Sequence, residues 1–218
     1  MTCWTVRAVN CGAARPLRDQ EDSAIAKLPQ AGPVMVGPLG LAGDEQADRV
    51  NHGGPDMAVH HYPHDHYAAW RAALGDHPLL GGEGAFGENI STTGLTEDVA
   101  ALGDRYRLGS ALVELSQARK PCWKLSHRFA VPTLTADVVR TARCGWYYRV
   151  IEAGQVSAGD RFELLDRPFP QWTVRRVFGL IVSGAEPRDG ATLAELARLE
   201  PLSAQWRQRA AALAHDKG

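Results

Sequence analysis

The sequence predicts a mainly β fold with added helices: a closed or nearly closed barrel, helical insertions between its strands, and a small C-terminal helical module. Three observations carry this. Short stretches of alternating apolar and polar residues recur through the first three quarters of the chain. Two Gly-Asp turns, Gly103-Asp104 and Gly159-Asp160, each lead straight into such a stretch. After Pro168 the pattern changes to amphipathic segments with helix-capping residues. The expected division is residues 1–168 for the barrel and 169–218 for a three-helix module.

Residues 4–10 read as the first strand, with Trp4, Val6 and Ala8 alternating against Thr5, Arg7 and Val9. Residues 11–33 carry charge, proline and glycine, and read as an excursion with at most a short helix near residues 23–28. A brief strand at 34–36 and a turn at 41–44 follow. Residues 44–56 are polar and glycine-bearing, a long loop of the kind that often serves function. A short strand at 58–62 leads to a helix at 64–74, where Tyr67, Trp70 and Leu74 recur at helical spacing and Pro63 precedes the first turn. Residues 81–94 form a second glycine-rich loop. Strands at 105–108 and 111–115 flank Gly109-Ser110 as a hairpin. Further strands fall at 146–152 and 162–165. In the C-terminal part, residues 173–182 are amphipathic, Thr192-Leu193-Ala194-Glu195 reads as a capping box, and Ser203 is placed to cap a last helix through Leu213. About fifty residues build little core alone, so this module is expected to pack on the barrel or on a second copy of the chain as a homodimer.

The totals exclude several classes. At 218 residues with a formal net charge of -1, the chain has no global attraction to nucleic acid or to an anionic membrane. No segment has the apolar length to cross a bilayer, and the N-terminus lacks the charged and apolar regions of a secretory signal. Cys3, Cys11, Cys122 and Cys144 lie far apart without C-x-x-C spacing, which argues against structural zinc or a disulfide framework and for a reducing, cytoplasmic setting.

Residues 116–125 concentrate the chemistry. Cys122 is preceded by Arg119, Lys120 and Pro121 and followed by Trp123 and Lys124. Three nearby cations favour a thiolate, and a helix beginning near Trp123 would add positive potential. A soft anionic sulfur can attack an electrophile or hold a thiophilic metal. The plainer account is a buried cysteine in a loop that happens to be basic. Cys3, Cys11 and Cys144 lack such neighbours and read as structural. The run His60-His61-Tyr62-Pro63-His64-Asp65-His66 fits no closed zinc spacing, and its histidines read as packed or solvated. Arg175-Arg176 is too short for a nucleic-acid footprint.

Several separated motifs occur together in order: Asp44 to Asp48, His52-Gly53-Gly54-Pro55-Asp56, Gly87-Glu88-Asn89, Arg119-Lys120-Pro121-Cys122-Trp123-Lys124-Leu125, Gly145 to Val150, and Gly159-Asp160. With them the chain resembles the MOSC-domain proteins of the YiiM type, over nearly its whole length. The resemblance implies a MOSC β-barrel carrying a molybdenum cofactor (molybdopterin with Mo), with Cys122 as the protein's sulfur ligand to the metal. It also implies kinship with the mitochondrial amidoxime-reducing component and the reduction of N-hydroxylated compounds, such as 6-N-hydroxylaminopurine, to the amines: detoxification by an oxidoreductase. Two positions depart from the family pattern: Met57 stands where lysine is common, and Ala118 where proline is common.

Under that implication, amides at Gly53, Gly54 and Gly87 and charge from Arg119 or Arg49 are candidates for the cofactor's phosphate. Asn89, Glu88, His52 and Asp56 have groups suited to the pterin, and His52 or Asp56 to supplying protons. Each has a duller reading: His52 and Asn89 capping turns, Glu88 as a solvated carboxylate, the glycines as tight turns, Arg119 as a surface charge. Asp44 and Asp48 read as solvated or as closing the loop onto Arg49. The sequence has no ferredoxin-type cysteine cluster and no Gly-x-Gly-x-x-Gly fingerprint, so a separate flavin or iron–sulfur donor is expected to bring electrons to a small N-hydroxylated substrate. Two other functions remain open at this stage: a sulfur carrier with a persulfide on Cys122, and a non-catalytic cofactor-binding module.

Overall fold

The computed structural model describes residues 2–18, 21–48 and 53–215. Its first strand is broken in two. β1 (Cys3–Thr5) and β2 (Ala8–Cys11) are separated at Val6-Arg7, and the two halves belong to opposite ends of one sheet. A hairpin follows, β3 (Arg15–Arg18) and β4 (Glu21–Ser23), then β5 (Leu28–Pro29). The short helix expected near residues 23–28 is therefore absent. Those residues continue the extended excursion, and Lys27, Asp44 and Gly12 tie it down in place of helical hydrogen bonds. β6 (Val34–Gly37) and β7 (Gly40–Leu41) form a small sheet, and β8 (Val59–His61) re-enters the large one.

α1 (Asp65–Leu74) crosses to β9 (Ile90–Ser91), which pairs in parallel with β8. The hairpin read from the sequence is β10 (Arg105–Leu108) with β11 (Ala111–Ala118), Arg105 opposite Glu114 and Leu108 opposite Ala111. α2 (Trp123–Arg128) and α3 (Leu134–Thr141) form a corner beyond β11, and α3 lies in a stretch for which no element was read from the sequence. β12 (Trp146–Glu152), β13 (Gly154–Val156) and β14 (Arg161–Asp166) complete the strands.

The large sheet runs β1-β14-β10-β11-β12-β8-β9-β2-β5. The two halves of the same N-terminal stretch stand near its opposite ends: β1 is one edge and pairs with β14, and β2 pairs with β9 and carries only the short β5 outside it. Backbone bonds bridge the break as well, from Val6 N to Asp160 O (2.9 Å) and from Arg7 N to Ser91 O (2.9 Å). One continuous stretch thus draws the two ends together and curls the sheet into the expected barrel form, which leaves few unpaired strand groups. Inside, Tyr106, Tyr148 and Phe162 are fully buried, the first and last stacked at 4.5 Å.

The C-terminal helices are α4 (Val174–Phe178), running into a π-turn at Gly179–Ser183, then α5 (Gly190–Arg198) and α6 (Ala204–His215). Thr173 and Ser203 cap their helices: Thr173 Oγ1 accepts from Arg176 N (3.3 Å) and Ser203 Oγ from Trp206 N (3.4 Å). The capping box read at Thr192 lies inside α5. The actual cap is Asp189, whose carboxylate accepts from Thr192 N (2.7 Å), so the helix starts two residues before Thr192. Phe178, Leu180, Leu193, Leu196, Leu202 and Ala210 join the same hydrophobic core as the barrel residues Leu115 and Ala118. No helix among the described residues is long and apolar enough to cross a membrane.

Because the module and the barrel share one core, they are expected to unfold together. Phe178→Ala removes a fully buried ring from their junction, and should cost about 3–5 kcal/mol while keeping a single transition in urea. Two resolved transitions in the unmutated protein would show that the module is held independently.

Candidate active site

β11 pairs with β12 up to Ala118 opposite Trp146, then leaves the sheet. At the point of departure, Arg119 N donates to Gly145 O (2.9 Å). Gly145 has φ 70°, and a Cβ there would collide with the carbonyl of His61, so the close crossing requires glycine. Pro121 follows, and Cys122 occupies the residue position just before α2, half-buried. Its carbonyl accepts from Leu125 N (3.1 Å) and from Thr135 Oγ1 (3.1 Å), so the α2–α3 corner fixes the cysteine's backbone. The helix does begin at Trp123 as expected.

Cys122 stands on a wall shared by two clefts. The first reaches into the barrel end and is lined by Arg119, Cys122, His60, Tyr147, Gly87 and Asn89, with Lys27 and Asp44 on its far side. It holds ≈ 110 Å³. The second lies between Cys122 and the C-terminal helices and holds ≈ 570 Å³. Met57, Lys120, Cys122 and Tyr147 line both.

The cations near Cys122 have separate fates. Lys124 Nζ donates to Asp22 O (3.1 Å) and lies 3.5 Å from the Glu21 carboxylate, tying the cysteine loop to the β3–β4 hairpin. Lys120 is exposed. Arg119, read from the sequence as either a ligand group or a surface charge, is only 5% exposed and pairs with no carboxylate among the described residues. Its charge acts on the Tyr147 phenol, and its Nη1 is buried with no hydrogen-bond partner among the described residues. Lys27, by contrast, is neutralised in a buried ion pair with Asp44.

Tyr147 and His60 face each other across the β12–β8 ladder, rings 5.0 Å apart. Burial raises the phenol's pKa; Arg119 opposes this and the neighbouring Cys122 sulfur adds to it, so Tyr147 keeps its proton. His60 Nδ1 is 3.0 Å from Gly87 O and must donate to it. Burial first, and then the Arg119 charge, push the His60 pKa well below 6.5, so the ring is neutral. Its Nε2 is then an acceptor, and it is buried without a partner.

The structure gathers some of the residues read from the sequence and disperses others. Cys122, Arg119, Gly87 and Asn89 meet at the first cleft. Asn89 also braces it: its side chain donates to Asp44 (2.8 Å) and Asn10 O (3.2 Å) and accepts from His60 N (2.9 Å). Glu88 does not line the cleft and is not solvated. Its carboxylate is fully buried and accepts from the Tyr67 hydroxyl, Gly84 N (2.9 Å) and Phe86 N (3.0 Å), closing the 84–88 loop. Asp56 does not line it either: Arg149 holds its carboxylate at 2.7 Å and 2.9 Å and also bonds Glu114 (2.9 Å), so Asp56 anchors the loop that presents Met57. Gly53 and Gly54 lie outside both clefts. The amides meant for a phosphate are partly spent: Gly54 N donates to Gln46 Oε1 (3.0 Å) and Gly87 N to Gly84 O (3.2 Å). His52 and Arg49 fall outside the described residues.

His60 and Tyr147 are the site residues that sequence reasoning missed. The adjacent pair His60-His61 splits across the strand: His60 faces the cleft, and His61 sits in the core between Tyr148 Oη and Thr92 Oγ1, each 3.0 Å away. His66 pairs with buried Glu97 at 2.6 Å. Among the described residues no group of three or more His, Cys, Asp or Glu is placed to hold a metal ion.

A curled sheet with helical insertions and a half-buried cysteine between two clefts, beside a buried guanidinium, defines a small-molecule site of the cofactor-binding type. The family model described as the MOSC domain matches residues 48–163. Protein YiiM of Escherichia coli strain K12 is 43% identical over 159 residues, 73% of this chain and 71% of its own length. A Gibberella moniliformis protein named "Reductase" is 44% identical over 156 residues, 71% of this chain, and the chain spans 28% of that protein's length. The crystal structure of YiiM from Geobacillus stearothermophilus superposes with a TM-score of 0.82 at 30% identity, over 97% of this chain and 99% of that one. YiiM from Escherichia coli gives 0.79 at 32% identity, over 97% and 94%. The chain belongs to the MOSC-domain family and is of the YiiM type. MOSC domains are associated in general with molybdenum cofactor binding.

His61 supplies a pH test of the site's supporting strand. Its pKa falls to about 3 through burial, against about 6.5 in an unfolded chain. Below that value the unfolded state takes up a proton that the native state refuses, so stability is lost as pH falls. This residue's share should be about 1.4 kcal/mol between pH 7.5 and 5.5. His61→Asn should remove that share from the difference between urea titrations at the two pH values. An equal pH dependence in variant and parent would show that the ring protonates in place.

Proposed function

We propose that the protein is a molybdenum cofactor-dependent reductase of N-hydroxylated compounds, 6-N-hydroxylaminopurine among them. The observation that carries the reading is a half-buried Cys122 on the same cleft as a buried Arg119 whose Nη1 has no partner among the described residues. A buried guanidinium without a counter-ion is costly, and an anionic ligand relieves that cost. The donor set fits the cofactor. Cys122 Sγ is the soft ligand for the metal, Arg119 Nη1 the donor for an anionic oxygen, and His60 Nε2 an acceptor for a ring N–H.

When bound, the cofactor supplies the two-electron redox chemistry. The balanced change is R–NH–OH plus two electrons and two protons to R–NH2 plus water, the electrons coming from a separate flavin or iron–sulfur protein. The chain's own part is to orient and to hold protons. Tyr147 keeps a proton on Oη at the wall shared by both clefts, next to Cys122 and under the Arg119 guanidinium. His60, fixed by Gly87 O, remains a neutral acceptor. The lining of Met57, Pro121, Ile181 and Val182 limits water in the second cleft.

Expression in a cofactor-competent host should yield protein with molybdenum by elemental analysis and turnover of 6-N-hydroxylaminopurine with a competent electron donor. Cys122→Ala should lose at least about a hundredfold in kcat, as removal of a group acting at the reacting centre does. A molybdenum-replete and fully active alanine variant would sink the reading. Added sulfur on Cys122 by mass spectrometry, with no molybdenum, would replace it with a sulfur carrier.

A further inference from the structure

The second cleft has a composition of its own. One wall is α6, which buries Trp206 and Ala210 against the core and turns Gln205, Gln208, Arg209 and Ala212 outward at spacings of three and four. The facing wall is Cys122, Pro121, Met57 and Tyr147, and the floor is Ile181 and Val182 of the π-turn. The apolar and aromatic groups of the cleft, Met57, Tyr147, Ile181, Val182 and Trp206, suit a planar ring, and the carboxamides of Gln205 and Gln208 offer both donors and acceptors to its edge. At the rim stand two cations, Lys120 and Arg209, neither with a carboxylate partner among the described residues. Such a pair beside an aromatic, amide-bearing slot matches a heterocycle carrying an anionic group.

We propose that this second cleft is the substrate site, and that it selects N-hydroxylated purine-type compounds bearing a phosphate, with Arg209 of α6 holding that phosphate together with Lys120. This rests on the reading of Cys122 as the reductase centre. The C-terminal helices thereby contribute the specificity-determining wall of a site whose reactive sulfur belongs to the barrel. Arg209 is the discriminating residue, because Lys120 borders both clefts whereas Arg209 borders the second alone.

The test uses the full-length protein free of molybdenum, so that binding is read without turnover. Iodoacetamide labelling of Cys122 is followed by mass spectrometry of its peptide, with adenosine 5′-monophosphate, adenosine and inorganic phosphate as probes. The nucleotide should slow labelling, at a half-protecting concentration at least about tenfold below that of adenosine, the discrimination expected of a charge-assisted contact. Arg209→Glu should raise the nucleotide's half-protecting concentration by at least about tenfold, Arg209→Lys should retain protection, and the unliganded labelling rate should report an intact loop in both. Inorganic phosphate alone should protect far less than the nucleotide. Equal protection by nucleotide and adenosine, protection that survives Arg209→Glu, or no protection by any probe overturns the proposal. Molybdenum content and turnover of the free base are measured separately. Their loss with nucleotide protection intact sinks only the reductase reading; their presence without protection sinks only this one.

Discussion

Everything near Cys122 is arranged around a positive charge that the fold buries and leaves partly unsatisfied. Arg119 enters the interior because its backbone is pinned to Gly145 immediately after Ala118, the last β11 residue paired with β12. A folded chain would ordinarily answer such a charge with a carboxylate, as it answers Lys27 with Asp44. Among the described residues it answers Arg119 with no carboxylate and leaves Nη1 without a hydrogen-bond partner. Burial of an ion costs several kcal/mol even after relaxation, and evolution toward stability alone would remove it. Under the proposed function, an anionic group of the cofactor would supply the compensating charge. The same guanidinium acts on its neighbours: it opposes the rise of the Tyr147 pKa and helps to keep His60 neutral.

The strands and the site differ in how legible they were. The β10–β11 hairpin follows from a two-residue turn between alternating segments, which is local information. The barrel's closure could not be read locally. It depends on β1 and β2 pairing with strands about 160 and 80 residues further on, and a single alternating stretch gives no sign that it will be shared between two sheet ends. The cap of α5 was misplaced because Thr192 satisfies the same motif as Asp189, and the acidic residue three positions earlier reaches the free amide first. α3 escaped because its apolar stripe of Leu134 and Val138 is only two residues long.

Cys122 and Arg119 were visible because their residue types are chemically loud and adjacent. His60 and Tyr147 were not, because their partnership is a cross-strand register, His60 opposite Tyr147, that only the assembled sheet creates. Glu88 and Asp56 show the converse error. Each has the chemistry of a ligand group and sits in the right loop, yet each carboxylate is consumed in holding that loop: Glu88 by two amides and a phenol, Asp56 by Arg149. Motif residues in a glycine-bearing loop therefore divide by a physical criterion that the sequence hides, namely whether the side chain's hydrogen-bonding capacity is already used. By that criterion Arg119 and His60 retain capacity, and Asn89 belongs to the scaffold even though it lines the cleft.

The shared core between barrel and helices gives the two clefts their relation. The helices pack on β11 through Phe178 and Leu202, so α6 has one allowed orientation, with its polar stripe across from the cysteine loop. Met57 stands where the clefts meet and carries no charge, although lysine is common there in the resembling family. A cation at that point would set a second positive charge beside Arg119 and compete for whatever anion enters the first cleft. With methionine, the charges left around Cys122 are Arg119 in the first cleft, Lys120 bordering both, and Arg209 bordering the second alone. Under the proposed function, Arg209 is then the charge that would tell the anionic end of a passing substrate from that of the resident group, because it alone of the three borders only the second cleft.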